Sequence, residues 1–241
     1  MNEKIKLDVF LFKSKKAINP QRGAKNIRIY SCLNGYTINL LNSGEYDSLL
    51  ISQPIGFVID GNAAHKTLKK AGISVEKILG RELLDLAIKK YPYPVTIIGG
   101  SPEKYLLLKR KLSIFFNFDF LLITPPIFYS EKSLEEYARS IYHLIPDKSL
   151  VIIFIRSPLQ DLLSGHLCRL KNKAVFINIG AVIDDILNER FAYLFFFQKI
   201  KLEWLYRTIV SPSRTIPKIL KQIFTARLKL NLSRYHWKIL K

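Results

Sequence analysis

The stretch VTIIGGSPEKYLLLKRKLSIFF, residues 95–116, decides the fold. It begins with an apolar run rich in β-branched residues, 95–98, which predicts a buried strand. Gly99-Gly100-Ser101 interrupts the run, and Pro102 follows near the first turn of a helix, where a missing N–H group costs nothing. Apolar residues then recur at spacings of three and four, which predicts a helix up to Phe116. A strand, a tight glycine turn and a helix therefore follow one another directly.

The same alternation extends in both directions along the chain. Further apolar runs, each bounded by Gly, Pro, Asn or Asp, predict strands at residues 27–33, 56–59, 118–123, 150–155 and 174–179. Helical spacing of apolar residues predicts helices at residues 62–71, 82–90, 133–144 and 158–170. This alternation predicts an α/β fold, a mostly parallel Rossmann-like sheet flanked by helices. Ligands of such sheets bind beyond the carboxyl ends of the strands.

The pattern changes after about residue 190. No convincing strand follows, whereas apolar residues recur there at helical spacing. We therefore divide the chain into an α/β domain, residues 1–190, and a basic amphipathic helical appendage, residues 191–241. Tyr235 and Trp237, near the end of the appendage, are expected at the level of lipid headgroups.

Positive charge is concentrated in the appendage. The whole chain carries a formal net charge of +19, and residues 199–241 hold eleven Lys or Arg against one acidic residue, Glu203. Such an excess indicates a polyanion, an anionic membrane surface or phosphorylated substrates as partners. Nucleic acid is the least favoured of these, because no RNP-like motif, zinc knuckle or recognition-helix pattern accompanies the basic residues.

Cysteine content and hydropathy limit the location. Cys32 and Cys168 give no disulfide framework, which is typical of a reducing cytoplasm. Residues 1–16 lack the apolar core and cleavage site of a secretory signal. The most apolar runs, 115–127 and 191–197, are too short or too interrupted to cross a bilayer as a helix. Any membrane contact is therefore expected to be peripheral.

Polar residues stand where predicted strands end. Asp60-Gly61 places a carboxylate at a strand's carboxyl end, where it could act as a base. Judged alone, Asp60 is more often a cap of the following helix. Asn34-Gly35 likewise ends a predicted strand, and the pair is most often a turn, although an Asn amide can bind sugar hydroxyls.

Gly99 and Gly100 precede a helix N-terminus, whose backbone N–H groups could bind a phosphate or a carbonyl. The segment is neither GxGxxG nor a P-loop, and a plain tight turn is its commoner meaning. Nothing predicts a metal centre, because the 4 histidines are scattered and no Asp-x-Asp triplet occurs.

The segment LEWLYR, residues 202–207, followed by PSR, residues 212–214, resembles the C-terminal motif of the WecG/TagA/CpsF glycosyltransferases. Cys32-Leu33-Asn34 and Asp60-Gly61 match the Thr-x-Asn and Asp-Gly of that family at the same interval. Its Gly-Gly-x-Pro, Pro-Lys-Gln-Glu and Gly-x-x-x-Asp motifs correspond, in order, to residues 99–102, 158–161 and 180–184. The likeness extends from about residue 27 to about residue 225.

The resemblance implies a bacterial enzyme, an inverting glycosyltransferase that needs no metal or other cofactor. It would move a hexose or N-acetylhexosamine from a UDP-sugar to a polyprenyl-diphosphate-linked sugar, in the biosynthesis of exopolysaccharide, other cell-surface polysaccharide or teichoic acid. Its partners would be that donor, that acceptor and an anionic membrane surface, and not nucleic acid. The enzyme would be cytoplasmic, peripheral on the inner face of the plasma membrane.

The resemblance also implies roles for individual residues. Asp60 would be the general base that takes the proton of the acceptor hydroxyl. Arg207 and Arg214 would bind the diphosphate and stabilise the charge that develops as UDP leaves. The appendage would complete the site when it folds down at the membrane. The other substrate-binding positions are Cys32, Asn34, Lys77, Gly99, Gly100, Gln160 and Asp184.

Several positions depart from the family pattern. Cys32 replaces a Thr and removes a strong hydroxyl donor. The other departures are Leu159 for Lys, Lys77 for Arg three residues before Gly80, Pro217 for an Arg of the appendage, and Ala192-Tyr193-Leu194 for Arg-Ala-Pro. Because the catalytic Asp60 and the proposed diphosphate ligands are retained, we favour a divergent but working transferase. The alternative is a catalytically degenerate relative that acts as a basic lipid-binding protein.

Overall fold

The computed structural model describes residues 7–19, 27–90, 94–127, 130–171, 173–180, 182–187, 205, 208–209 and 235–241. The strands are β1 (Leu7–Phe12), β2 (Ile29–Leu33), β3 (Ile55–Ile59), β4 (Val95–Gly99), β5 (Phe120–Ile123), β6 (Leu150–Phe154), β7 (Val175–Asn178) and β8 (Tyr235–Leu240). The helices are α1 (Gly35–Ser43), α2 (Asp47–Ser52), α3 (Asn62–Lys70), α4 (Gly80–Lys90), α5 (Tyr105–Phe116), α6 (Glu131–Ile141), α7 (Leu159–Leu170) and α8 (Val182–Leu187). Short 3-10 turns lie at Lys15–Ala17, Pro102–Lys104 and Tyr142–Leu144.

Within the described ranges, the strands form one eight-stranded sheet in the order β5-β4-β6-β7-β2-β3-β1-β8. Every neighbouring pair is parallel. The strands β2, β3, β4, β6 and β7 are buried along their whole length, as expected when helices cover both faces of a parallel sheet. Parallel strands end at one edge, where Leu33 stands opposite Ile59 and Gly99 opposite Phe154. We call this the carboxyl edge.

The helices bury two separate cores, one on each face of the sheet. Successive residues of a strand point to opposite faces, so Val9 and Leu11 of β1 enter one core while Phe10 and Phe12 enter the other. The first core also receives side chains from α1, α2, α3, α6 and α7. The second receives side chains from α4, α5 and α8.

The predicted α/β fold is confirmed, and the sheet is parallel throughout its described strands. The predicted strands and helices of the α/β domain are present, with small shifts at their ends. Four elements of this domain were not predicted, namely β1, α1, α2 and α8. The helix α1 begins after Asn34, which caps it, and ends before Gly44, which adopts a left-handed conformation with φ of 86°.

The prediction that no strand follows residue 190 is wrong. Residues 235–240 form β8, which pairs with β1 so that Leu7 stands opposite Tyr235 and Phe12 opposite Leu240. Tyr235 is buried, and its hydroxyl lies 2.6 Å from the carbonyl oxygen of Leu41 and 2.6 Å from Oδ1 of Asp47. The expected place of Tyr235 among lipid headgroups is therefore also wrong. The helical appendage stays a prediction, since its remaining residues fall almost wholly outside the described ranges.

A helix that spans a membrane must be long and apolar along its length. None of the helices in the described ranges combines the required length with the required hydropathy.

Candidate active site

The carboxyl edge collects polar side chains and glycines from several strands. Asn34 follows β2, Asp60 follows β3, and Gly100 follows β4. Gln160 stands in the first turn of α7, after β6. The backbone N–H of Asp60 donates to the carbonyl oxygen of Leu33 at 3.0 Å, which fixes the end of β3 against the end of β2. The fold thus brings together residues that lie far apart in the sequence.

Asp60 places a carboxylate at this edge. The N-cap position of α3 is held by Gly61, whose φ of 91° favours glycine, so Asp60 does not stand at that cap. Asp60 is half-buried, and its Oδ2 lies 3.8 Å from the point where a Cβ atom on Gly80 would stand. The carboxylate therefore faces the first residue of α4.

Gly80 lets α4 approach the strand ends closely. A Cβ atom there would lie 3.2 Å from Cγ2 of Val182 and 3.3 Å from Sγ of Cys32. Cys32 is buried, and burial raises the pKa of its thiol well above the ordinary value, with the carboxylates of Asp60 and Asp161 adding to the rise. The thiol is therefore neutral at physiological pH, and it is at most a weak hydrogen-bond donor beside Asp60.

Lys77 lies along the end of β3. It pairs with Ile59 in a parallel bridge, and the N–H of the next residue, Ile78, donates to the Ile59 carbonyl oxygen at 2.9 Å. Its Nζ donates to Oδ1 of Asn62, the first residue of α3, at 3.1 Å. The ammonium group is thereby held beside the same loop that carries Asp60.

Asn34 has a local structural role. Its Oδ1 accepts hydrogen bonds from the N–H groups of Tyr36 at 2.9 Å and Thr37 at 3.1 Å, which caps α1. Because the amide oxygen is used in this way, a contact of Asn34 with a sugar hydroxyl would be made by Nδ2 as a donor.

Gly99 and Gly100 are explained by close packing. A Cβ atom on Gly99 would lie 2.7 Å from Cβ of Phe154 in the neighbouring strand. Gly100 has a φ of 78°, and a Cβ atom there would lie 2.2 Å from Cδ2 of Leu108 in α5. Both positions exclude a side chain. Packing therefore explains the two glycines, and no bound ligand is needed to explain them.

Gln160 carries the clearest sign of a ligand. The residue is 4% exposed, yet its Oε1 has no hydrogen-bond partner within the described part of the protein. Oε1 lies 3.4 Å from the point where a Cβ atom on Gly180 would stand, and Gly180 has a φ of 44°. Leaving a buried amide oxygen unpaired costs about 1–3 kcal/mol, which a donor on a ligand would recover.

Asp161, the next residue, is fully buried and was given no role by the sequence. It accepts hydrogen bonds from Ser31 at 2.5 Å, Asn178 at 2.9 Å and Ser157 at 3.1 Å, and also from the hydroxyl of Tyr46. Burial raises the pKa of the Asp161 carboxyl, and the hydrogen bonds act in the opposite direction. We call these five residues the Asp161 cluster. It joins β2 and β7 to the turn that presents Gln160.

For three predicted site residues the structure describes no side-chain contact. Asp184 lies in α8, whereas Arg207 and Arg214 lie outside the described residues. Among the described residues, no group of three or more His, Cys, Asp or Glu side chains could hold a metal ion.

One comparison with known proteins bears on this site. The model of the family described as "Glycosyl transferase WecG/TagA/CpsF family" matches residues 57–238, which is more than half of the chain. The matched range includes Asp60, Gly80 and Gln160, together with Arg207 and Arg214.

Proposed function

The chain belongs to the WecG/TagA/CpsF family of glycosyl transferases, and we propose that it transfers a hexose or N-acetylhexosamine from a UDP-sugar to a polyprenyl-diphosphate-linked sugar. Family membership implies glycosyl transfer in the synthesis of a cell-surface polymer. The nature of the donor and of the acceptor, and the inverting course of the reaction, are parts of our proposal.

The observation that carries the proposal is the position of the Asp60 carboxylate. It stands at the carboxyl edge, with Oδ2 facing the first residue of α4 and the neutral thiol of Cys32 beside it. Ligands of doubly wound sheets bind at this edge. A half-buried carboxylate in such a place can accept a proton from a substrate that binds there.

The proposed reaction is a single displacement. The acceptor hydroxyl oxygen forms a bond to the anomeric carbon, from the face opposite UDP. The bond between that carbon and the UDP oxygen breaks, and its electron pair leaves with UDP. Asp60 takes the proton of the hydroxyl. We propose that Arg207, Arg214 and Lys77 neutralise the departing diphosphate, and that Gln160 binds a sugar hydroxyl through its buried Oε1.

The proposed location is the inner face of the plasma membrane, where a lipid-linked acceptor would be held. The concentration of Lys and Arg in residues 199–241 supports it, because cationic segments bind anionic lipid. Cys32 stands where the family has a Thr, and its neutral thiol is a weaker hydrogen-bond donor than a hydroxyl group. This difference supports a preference for another sugar donor than the one used by relatives with Thr.

The test is a screen of UDP-sugars with a short-chain polyprenyl-diphosphate sugar, with the product detected by mass spectrometry. We expect one donor to give product, and Asp60→Asn to lower turnover by about 10²–10⁴-fold, the usual contribution of general-base catalysis. Asp119→Asn is the matched control, because Asp119 is exposed and immediately precedes β5, at the opposite edge of the sheet.

If no donor gives product although a related transferase does, or if Asp60→Asn retains full turnover, the catalytic assignment is wrong. Vesicle binding that persists in the complete absence of turnover would favour the degenerate, lipid-binding alternative.

A further inference from the structure

One face of α5 exposes large apolar side chains. Leu106 is 80% exposed, Leu107 is 54% exposed and Ile114 is 74% exposed. The opposite face of the helix is buried in the core through Leu108 and Leu112. A helix on the surface of a soluble protein ordinarily presents polar residues to solvent, so an exposed row of this kind indicates an interaction surface.

Cations lie within and beside this row. Arg110 is exposed, and it stands one helical turn after Leu106 and Leu107 and one turn before Ile114. Lys109 is also exposed, with its Nζ 5.9 Å from the centre of the Tyr105 ring. The helix itself carries no acidic residue, and Glu103 lies in the turn before it. We call Leu106, Leu107, Lys109, Arg110 and Ile114 the α5 face.

The α5 face begins at the carboxyl edge, close to the candidate site in the fold. Gly100 and Ser101 connect the end of β4 to the turn that leads into α5, so Leu106 and Leu107 lie in the part of the helix nearest that edge. Ile127, which is 77% exposed, follows the end of β5, the strand next to β4. Exposed apolar side chains thus flank the same end of two adjacent strands.

The charge of the α5 face selects its occupant. A second copy of the chain docked by the same face would place Arg110 and Lys109 against their own counterparts, which is unfavourable. The chain's own residues 199–234, with nine Lys or Arg against Glu203, would be repelled as well. An anionic bilayer matches both properties, because its acyl region accepts leucine and isoleucine while its phosphates pair with the cations.

We propose that the α5 face docks on an anionic membrane, with Leu106, Leu107 and Ile114 entering the boundary between headgroups and acyl chains and Arg110 and Lys109 binding lipid phosphates. The inference rests on the proposed function for its biological purpose, which is to bring the carboxyl edge to a lipid-linked acceptor. It adds a second membrane contact, within the α/β domain and separate from the predicted appendage.

The first test reports insertion directly. Cys32 and Cys168 are buried, so Ser113→Cys, on the exposed side of α5, can be labelled selectively with an environment-sensitive fluorophore. We expect its emission to shift to the blue on vesicles of phosphatidylglycerol and phosphatidylcholine. Ser140→Cys, exposed on α6, is the matched control and should not shift. An unchanged signal at position 113 on protein that has bound the vesicles would overturn the proposal.

The second test uses sedimentation of the full chain with the same vesicles. The double variant Leu106→Ser/Ile114→Ser should bind about tenfold more weakly, since two apolar side chains no longer leave water. Ile51→Ser, at a 72% exposed position on α2, should bind like the original protein. Lys109→Gln/Arg110→Gln should weaken binding more than Lys69→Gln/Lys70→Gln, which removes equal charge from α3.

Other outcomes would point to other occupants and overturn the proposal. Unchanged vesicle binding with an altered oligomeric state in light scattering would make the α5 face an interface between copies. If Lys109→Gln/Arg110→Gln abolished oligonucleotide binding and left vesicle binding unchanged, the α5 face would be a nucleic-acid surface. Transfer to a water-soluble acceptor separates this inference from the proposed function, because it should survive Leu106→Ser/Ile114→Ser and be lost in Asp60→Asn.

Discussion

Ser31 donates a hydrogen bond of 2.5 Å to Asp161, which ties the middle of the sheet to the first turn of α7. Replacing Asp161 with Asn should lower the free energy of unfolding by about 2–4 kcal/mol, because an amide N–H group would then oppose buried donors. Urea denaturation measures this change. Asp147→Asn, which removes an exposed carboxylate paired with Lys171, should stay within about 0.5 kcal/mol of the original protein. If Asp161→Asn lowered the free energy of unfolding no more than Asp147→Asn does, the Asp161 cluster would not be a stabilising unit.

Gln160 should show opposite effects on stability and activity. Gln160→Leu removes a buried oxygen that lacks a partner, so the free energy of unfolding should be unchanged or higher by about 1–2 kcal/mol. Turnover in the transferase assay should fall by about 10²-fold or more, because the proposed contact to a sugar hydroxyl is lost. Denaturation and kinetics on the same preparation decide the matter. A loss of stability without a loss of turnover would assign the amide a structural role.

Gly80 should resist substitution because of its neighbours. Gly80→Ala would normally stabilise a helix by about 0.5–1 kcal/mol, but its Cβ atom would press on Cys32 and Val182. We expect a net loss of stability in the original background and a smaller loss in Cys32→Ala, where only the contact with Val182 remains. The double-mutant cycle, measured by urea denaturation, should give a coupling of about 1 kcal/mol. Simple additivity of the two changes would contradict the close approach.

His166 should make stability depend on pH. Burial lowers the pKa of His166 below its ordinary value of 6.5, and nearby Arg169 lowers it further, with an Arg169 Nη2 to His166 Nδ1 distance of 2.5 Å. A depressed histidine pKa means that the unfolded chain binds the proton more readily, so stability is present above pH 6.5 and is lost as the pH falls below it.

Thermal denaturation between pH 5 and pH 8, a range of about three units around that pKa, measures this effect. In His166→Gln this part of the pH dependence should disappear, whereas His143→Gln, at an exposed position, should retain it. Parallel curves for the original protein and His166→Gln would show that His166 does not contribute.

The two thiols should be unreactive in the folded protein. Burial raises the pKa of Cys168 to about 11 and that of Cys32 well above its ordinary value, so the reactive thiolate is scarce at neutral pH. Titration with a thiol reagent at pH 7.5, well below the pKa of about 11 of Cys168, should label neither residue until denaturant is added. Rapid labelling of Cys32 in the absence of denaturant would mean that solvent reaches the thiol beside Asp60 freely.

Central strands were predictable from the sequence because they are buried on both faces. The run at β6 is continuously apolar, that at β4 is interrupted only by the buried Thr96, and bounding Gly, Pro or Asp residues mark their ends. The edge strand β8, YHWKIL, is buried only at its two end residues, Tyr235 and Leu240, and contains a His and a Lys, so no apolar run reveals it. It becomes a strand by pairing with β1, which lies far away in the sequence.

The candidate site was also predictable only in part. Asp60 and Asn34 follow recognisable strands, and parallel topology places strand ends together. The role of Asp161 depends on Ser31, Tyr46 and Asn178, which no local pattern links to it. The exposure of the α5 face was likewise hidden, because helical spacing shows that a helix forms without showing which neighbours cover it.

The pairing of β8 with β1 governs how the C-terminal part of this protein can be studied. Deleting residues 191–241 to obtain a shorter catalytic fragment would strip one border of the sheet and expose the hydrogen-bonding groups of β1 to other molecules. It would also remove the Tyr235 hydroxyl from its site beside Leu41 and Asp47. An inactive, insoluble fragment would then reflect sheet damage rather than missing arginines. Charge-reversing point substitutions that leave residues 235–240 in place are the appropriate way to dissect this segment.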